Sequence, residues 1–127
     1  MEKLLWIVLA GGAGTAARYG IVTLFGRFDA AASFPWAIFT ANMVGCYLFG
    51  VAWQTAENKT FLNDQLRLAV LVGFMGAFTT FSTFAFDNAQ LLKAGRWGAL
   101  ALNLALNNGV GLALVFAGFR TSRAVWQ

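Results

Sequence analysis

The sequence predicts an all-α integral membrane protein with four membrane-crossing helices, the third of them broken. Three observations predict it. The 127-residue chain is 59% hydrophobic and only 11% charged, with a mean hydropathy of +0.65, whereas a soluble domain carries roughly 25% charged residues. Its apolar residues fall into four long runs separated by short connections, as a multi-pass chain requires. The third run is interrupted by glycine and hydroxyls within FMGAFTTFSTFAF, residues 74–86, a mixture from which a lipid-facing helix gains nothing.

The first span is read at residues 4–25. Its GGAGTAAR stretch places Gly11, Gly12 and Gly14 where another helix can come close. Arg18 lies deep in the same run, and a charge at that depth is costly enough to suggest a function. It has three readings: snorkelling to an interface, bonding backbone carbonyls, or drawing anions into a vestibule. Small residues at Thr15, Ala16 and Ala17 would suit a cleavable signal peptide. The apolar run continues past Tyr19, however, so a retained span is expected.

The second span is read at residues 36–53, introduced by Pro35, the only proline. Ala37, Ala41 and Gly45 form a stripe of small residues. Thr40 and Asn42 add a hydroxyl and an amide; because an amide both donates and accepts, Asn42 alone does not say which sign of ion it would meet. At 18 residues this is the shortest span, and at 1.5 Å per residue it still reaches about 27 Å.

The third span, residues 65–92, is longer than a straight crossing needs. Gly73, Gly76, Thr79 and Thr80 weaken its helix propensity near the middle. A break at membrane depth is tolerated where it lines a cavity or is buried in protein. It frees carbonyls on one half-helix and amides on the other, which suit cations and anions respectively. Phe81 and Phe84 are three apart and so point to one side. Ring edges are slightly positive, so with hydroxyl donors they make a lining for a small anion; the competing reading is plain packing of phenylalanines in a core.

The fourth span, residues 97–119, has two faces. Ala101, Ala105, Gly109, Ala113 and Ala117 form a small-residue seam for close helix approach. Roughly opposite lie Asn103, Asn107 and Gly111, and two amides one turn apart must face protein or water. Together the spans make a single membrane domain over residues 1–127.

Composition also excludes. One cysteine, Cys46, forbids an internal disulfide, and the absence of histidine removes ordinary Cys/His metal sites and histidine-based catalysis. Asp87 is the only acid well inside a span, placed to cap or pair near the span's end. No carboxylate pair is available for acid–base work, so an enzyme is not expected. The net charge of +4 comes from Lys and Arg that mostly flank apolar runs, which points to a bilayer rather than nucleic acid. Lys3, Lys59, Arg67, Arg120 and Arg123 fall on one face. Arg27, Lys93 and Arg96 fall on the other, with Arg18 deeper. That bias is too weak to fix one orientation, which leaves open either a single topology or both.

At GFMGAFTTFSTF, residues 73–84, the sequence closely resembles the third-span motif of the Fluc fluoride channels, the CrcB family. GGAGTAAR, FTANMVG at 39–45 and AGRWGAL before the fourth span agree with it, so the resemblance covers essentially the whole chain. It implies a fluoride-selective channel of the bacterial inner membrane, built as an antiparallel, dual-topology homodimer with two pores and a central structural sodium ion. By motif position it implies pore roles for Phe81, Phe84 and Asn42, with Thr40 in the vestibule. Ser82, Thr83 and Arg18 also match family positions. The backbone carbonyls of Gly76 and Thr79 would hold the sodium. Asn107 and Asn103 depart from the serine and tyrosine common at those positions, and Ala37-Ile38 replaces a common Gly-Thr. The rival readings are a small four-span multidrug exporter, which would need an acid inside its first span, and a non-conducting scaffold subunit.

Overall fold

The computed structural model describes residues 1–29, 34–57 and 63–126. Lys59 and the middles of the first two connections lie outside the described residues. The described chain is helical, and four stretches are long and apolar enough to cross a membrane. Helix α1 runs Glu2–Asp29 and α2 runs Trp36–Glu57. The third span is segmented: α3 (Asp64–Leu68), a π-helical stretch (Ala69–Phe74), α4 (Met75–Phe78), then α5 (Phe81–Lys93). Helix α6 runs Trp97–Trp126. Each span extends past the expected apolar run, because polar residues at its ends continue the helix.

Side chains at the connections fix where helices begin. Asp29 Oδ1, at the end of α1, accepts from Ala37 N at 3.1 Å and so caps α2 from outside. Asn63 Oδ1 caps α3 by accepting from Leu66 N at 2.8 Å. The turn between α5 and α6 needs Gly95, which stands at φ 68°. There Gly95 N donates to Leu92 O and Arg96 N to Leu91 O, the reciprocal pair that closes a helix C-terminus.

Packing follows the small residues. Helices α2 and α6 form the most extensive contact. A Cβ on Gly50 would collide with the Val115 carbonyl, and one on Gly118 would meet Val51 N at 2.8 Å. Thr55 Oγ1 and Ser122 Oγ bond at 2.9 Å, and Arg123 Nε donates to Gln54 Oε1, near the same end of the pair. Helix α1 packs mainly on the π-helical stretch, and also on α2 and α4. Gly14 allows that approach: a Cβ there would strike the Phe74 backbone. Gly12, expected to do the same, has nothing within 4 Å.

The break therefore transfers the third span from one neighbour to another. Its first half lies chiefly on α1; its second half, α5, lies chiefly on α6, and α2 touches both halves. In the second span Ala37, Ala41 and Gly45 are all buried, as their stripe predicts. In the fourth span the chain's own helices take the face opposite the alanine–glycine stripe. Ala101, Ala105, Gly109, Ala113 and Ala117 are all exposed, while Asn103, Gly111 and Gly118 are buried. Within one chain, the seam is the asparagine–glycine face, because α2 packs there and brings a half-buried amide partner, Asn42.

Candidate functional site: a neutral cavity at the broken helix

The break sits at Thr79 and Thr80, both extended at φ −90°, ψ 155° and φ −147°, ψ 116°. The two adjacent threonines do opposite jobs. Thr79 closes α4, its N–H and its hydroxyl both donating to Met75 O, at 3.2 and 3.1 Å. Thr80 opens α5, its Oγ1 accepting from Thr83 N at 3.3 Å. The Thr80 hydroxyl also meets Ser82 Oγ and Thr83 Oγ1, each at 3.2 Å. Much of the hydroxyl content of TTFSTF thus serves to end one half-helix and begin the next.

The break takes the backbone carbonyls of residues 76–79 away from their usual helical donors. In a continuous helix Thr80 N–H would bond Gly76 O; it bonds Asn42 Oδ1 instead, at 3.2 Å. Thr83 N–H would bond Thr79 O; it bonds the Thr80 hydroxyl. Gly76 O and Thr79 O, the carbonyls named from the motif, are among those that lose their helical donors. Gly76 is exposed, with open space where a Cβ would stand.

Beside the break lies a cavity of about 320 Å³. Asn42 and Cys46 of α2, Thr80, Phe81 and Phe84 at the start of α5, and Asn107 of α6 all line it. No charged side chain lines it among the described residues. The rings of Phe81 and Phe84 are 5.8 Å apart and tilted by 51°. Their environments differ sharply: Phe84 is 9% exposed and Phe81 is 79% exposed. A ring that open, at membrane depth on a break, is not serving as core packing in this chain.

Asn42 is tied on both sides, its Oδ1 to Thr80 N and its Nδ2 to Asn107 Oδ1 at 3.5 Å. Asn107 Nδ2 in turn donates to Asn103, to Oδ1 at 2.8 Å and to the backbone oxygen at 3.0 Å. Asn103 is 1% exposed and donates to Asn88 Oδ1 at 2.9 Å.

Other expected residues lie apart. Thr40 faces a separate aromatic cavity of about 370 Å³, with Phe25, Phe28, Trp36 and Phe39. Ser82 and Thr83 bond to Thr80 but do not line the main cavity. Asn103 supports that cavity from behind without lining it. Arg18 is half-buried on α1 and makes no hydrogen bond or ion pair among the described residues. Asp87 Oδ2 is buried with no hydrogen-bond partner among the described residues, beside a different cavity that also includes Asp29, Gln90 and Arg96. Asn88 and Asn108 were not singled out from sequence; Thr80 was read only as weakening the helix, and Cys46 only as excluding a disulfide. Thr80 and Asn108 carried a readable signal, a hydroxyl at a break and a third amide on the polar helix; Asn88 did not, since its partner is brought to it by folding.

Residues 5–119 match the family described as CrcB-like protein, Camphor Resistance (CrcB). The chain belongs to the CrcB family. It is 45% identical over 124 residues to the fluoride-specific ion channel FluC of Nitrosococcus oceani, covering 98% of each chain. It is 45% identical over 125 residues to that of Nitratidesulfovibrio vulgaris, covering 98% of this chain and all of the relative. It is 43% identical over 129 residues to that of Solidesulfovibrio magneticus, covering 98% and 99%. Like the family, this is a multi-pass membrane protein, and its relatives are named as channels rather than enzymes.

Proposed function

We propose that this chain forms a passive, fluoride-selective channel. The observation that carries the reading is the break at Thr79–Thr80 against Asn42. It sets amide donors and two phenylalanines around one uncharged cavity at membrane depth. Fluoride is small and strongly hydrated. A pore must replace much of that hydration with donors, yet bind weakly enough to release the ion. Side-chain amides and ring edges are donors of that moderate kind, whereas a lysine lining would hold the ion. Passive flow suffices for export, because undissociated acid enters a bacterial cell and ionises in the cytoplasm, across the inner membrane in which the channel sits.

The working unit is an antiparallel homodimer with two pores. Support comes from Phe81 and the alanine–glycine stripe of α6, which a single chain leaves uncovered. The weak charge bias permits insertion both ways up. The freed carbonyls of Gly76 and Thr79 fit a hard cation that takes oxygen ligands, and two copies would offer four of them. A sodium ion there would neutralise the carbonyl ends of two half-helices where the copies meet.

The test is fluoride efflux from liposomes containing the purified protein, with chloride measured in parallel. Rapid fluoride loss without chloride loss, abolished by Phe81→Ile, is expected. Well-folded protein that releases neither ion would refute the channel.

A further inference from the structure

The geometry points to Asn88 as a positioning residue that ends a one-way relay of amides and thereby holds the N–H side of Asn42 toward the cavity. Four hydrogen bonds make it: Thr80 N to Asn42 Oδ1 at 3.2 Å, Asn42 Nδ2 to Asn107 Oδ1 at 3.5 Å, Asn107 Nδ2 to Asn103 Oδ1 at 2.8 Å, and Asn103 Nδ2 to Asn88 Oδ1 at 2.9 Å. The relay leaves the third span at its break, crosses α2 and α6, and returns to the same span about two turns further along α5.

Two backbone groups fix its direction. Thr80 N–H can only donate, so Asn42 must offer it oxygen and turn its NH2 toward Asn107. The Asn103 backbone oxygen can only accept, so the Asn107 atom 3.0 Å away must be nitrogen. These constraints enter at separate links and agree. Asn103 is then left with oxygen toward Asn107 and nitrogen toward Asn88, and Asn88 must accept.

The direction decides what the cavity meets. The Asn42 oxygen is taken up by Thr80 N–H. One Asn42 N–H goes to Asn107, and the other remains for the cavity that Asn42 lines. A flipped Asn42 would present a carbonyl oxygen, which repels an anion. Asn103 is buried, so without an acceptor at position 88 its N–H has no water to turn to. Rotating Asn103 would set its NH2 against the NH2 of Asn107, and the conflict would pass on to Asn42. Asn88 touches no part of the cavity; it acts through the relay.

The inference rests on the channel reading for its consequence but not for its geometry, so two readouts separate them. The first is the ¹H–¹⁵N spectrum of the full chain in micelles, labelled at asparagine, with the Asn42 NH2 signals identified by their loss in Asn42→Ala. Asn88→Ala should move them, and Asn88→Asp, which keeps an acceptor, should leave them near their original place. Unmoved Asn42 signals in Asn88→Ala would overturn the relay whether or not the protein conducts. If Asn88→Ala does not fold, Asn88→Asp carries the test: it must shift the Asn103 NH2 signal while Asn42 stays, and a displaced Asn42 refutes the proposal. The second readout is fluoride efflux. Asn88→Ala should slow it about tenfold, the scale of one unpaired buried amide. In an Asn42→Ala background it should change the rate by less than about twofold, since coupled residues do not add. Equal losses in both backgrounds would make Asn88 merely structural. Absent flux in the unaltered protein would count against the channel reading alone.

Discussion

Two glycines on α1 offer a controlled measurement of what holds the first half of the broken span. Gly14→Ala adds a methyl group whose carbon would strike the Phe74 carbonyl, with Phe74 C at 3.0 Å and Phe74 Cα at 3.1 Å. All three neighbours are backbone, so no side chain can swing away. Gly12→Ala, two residues earlier on the same helix, adds the same methyl where nothing lies within 4 Å. Alanine is the better helix former by about 1 kcal/mol, and that gain is common to both variants. What differs is the contact. Carbon atoms prefer about 3.5–4.0 Å, and a helix pair forced apart by 0.5–1 Å gives up roughly a quarter to a half of its dispersion attraction. Overpacking of this sort costs about 1–3 kcal/mol. The expected result is that Gly14→Ala melts roughly 4 °C or more below Gly12→Ala, by circular dichroism in one detergent. Fluoride efflux should fall in Gly14→Ala only, because Phe74 stacks on Phe78 at 5.7 Å and a displacement there passes to the break. Equal melting temperatures would refute the claim that backbone contact at Gly14 sets the position of this half-helix.

Three further outcomes are expected. Asn103→Leu removes a fully buried amide and leaves Asn88 Oδ1 and the Asn107 NH2 short of partners. It should destabilise the protein by about 1–3 kcal/mol in denaturant titration. Thr80→Ala deletes the cap of α5 at a cost of about 1 kcal/mol, and Thr80→Ser should restore it, read as hydrogen-exchange protection of the Thr83 amide. If freed carbonyls hold sodium, replacing sodium by a large organic cation should lower the melting temperature in proportion to the logarithm of sodium concentration; a melting temperature indifferent to sodium would remove that site.

Much of this protein was readable before folding. Long apolar runs set the four helices, because a backbone in lipid must satisfy its own hydrogen bonds. The glycine–threonine interruption located the break, since hydroxyls compete for backbone groups and favour caps over helix interiors. Asn42, Phe81 and Phe84 were named from the motif, and they do surround one cavity. That the amides of the fourth span face protein also followed from sequence, because an unpaired amide in hydrocarbon is too costly.

Other features were decided only by tertiary structure. Periodicity shows that a helix has two faces but not which neighbour each will meet, so only folding shows that α2 takes the asparagine–glycine face of α6 and leaves the alanine stripe uncovered. Gly12 and Gly14 look alike in sequence; only the crossing of α1 over Phe74 separates them. Thr40 lies two residues from Asn42 yet opens on another cavity, because successive positions on a helix point about 100° apart. Asn88 carried no signal of its own. A hydrogen bond acts over about 3 Å, and its partner stands 15 residues away along the chain, so only folding brings the two amides together.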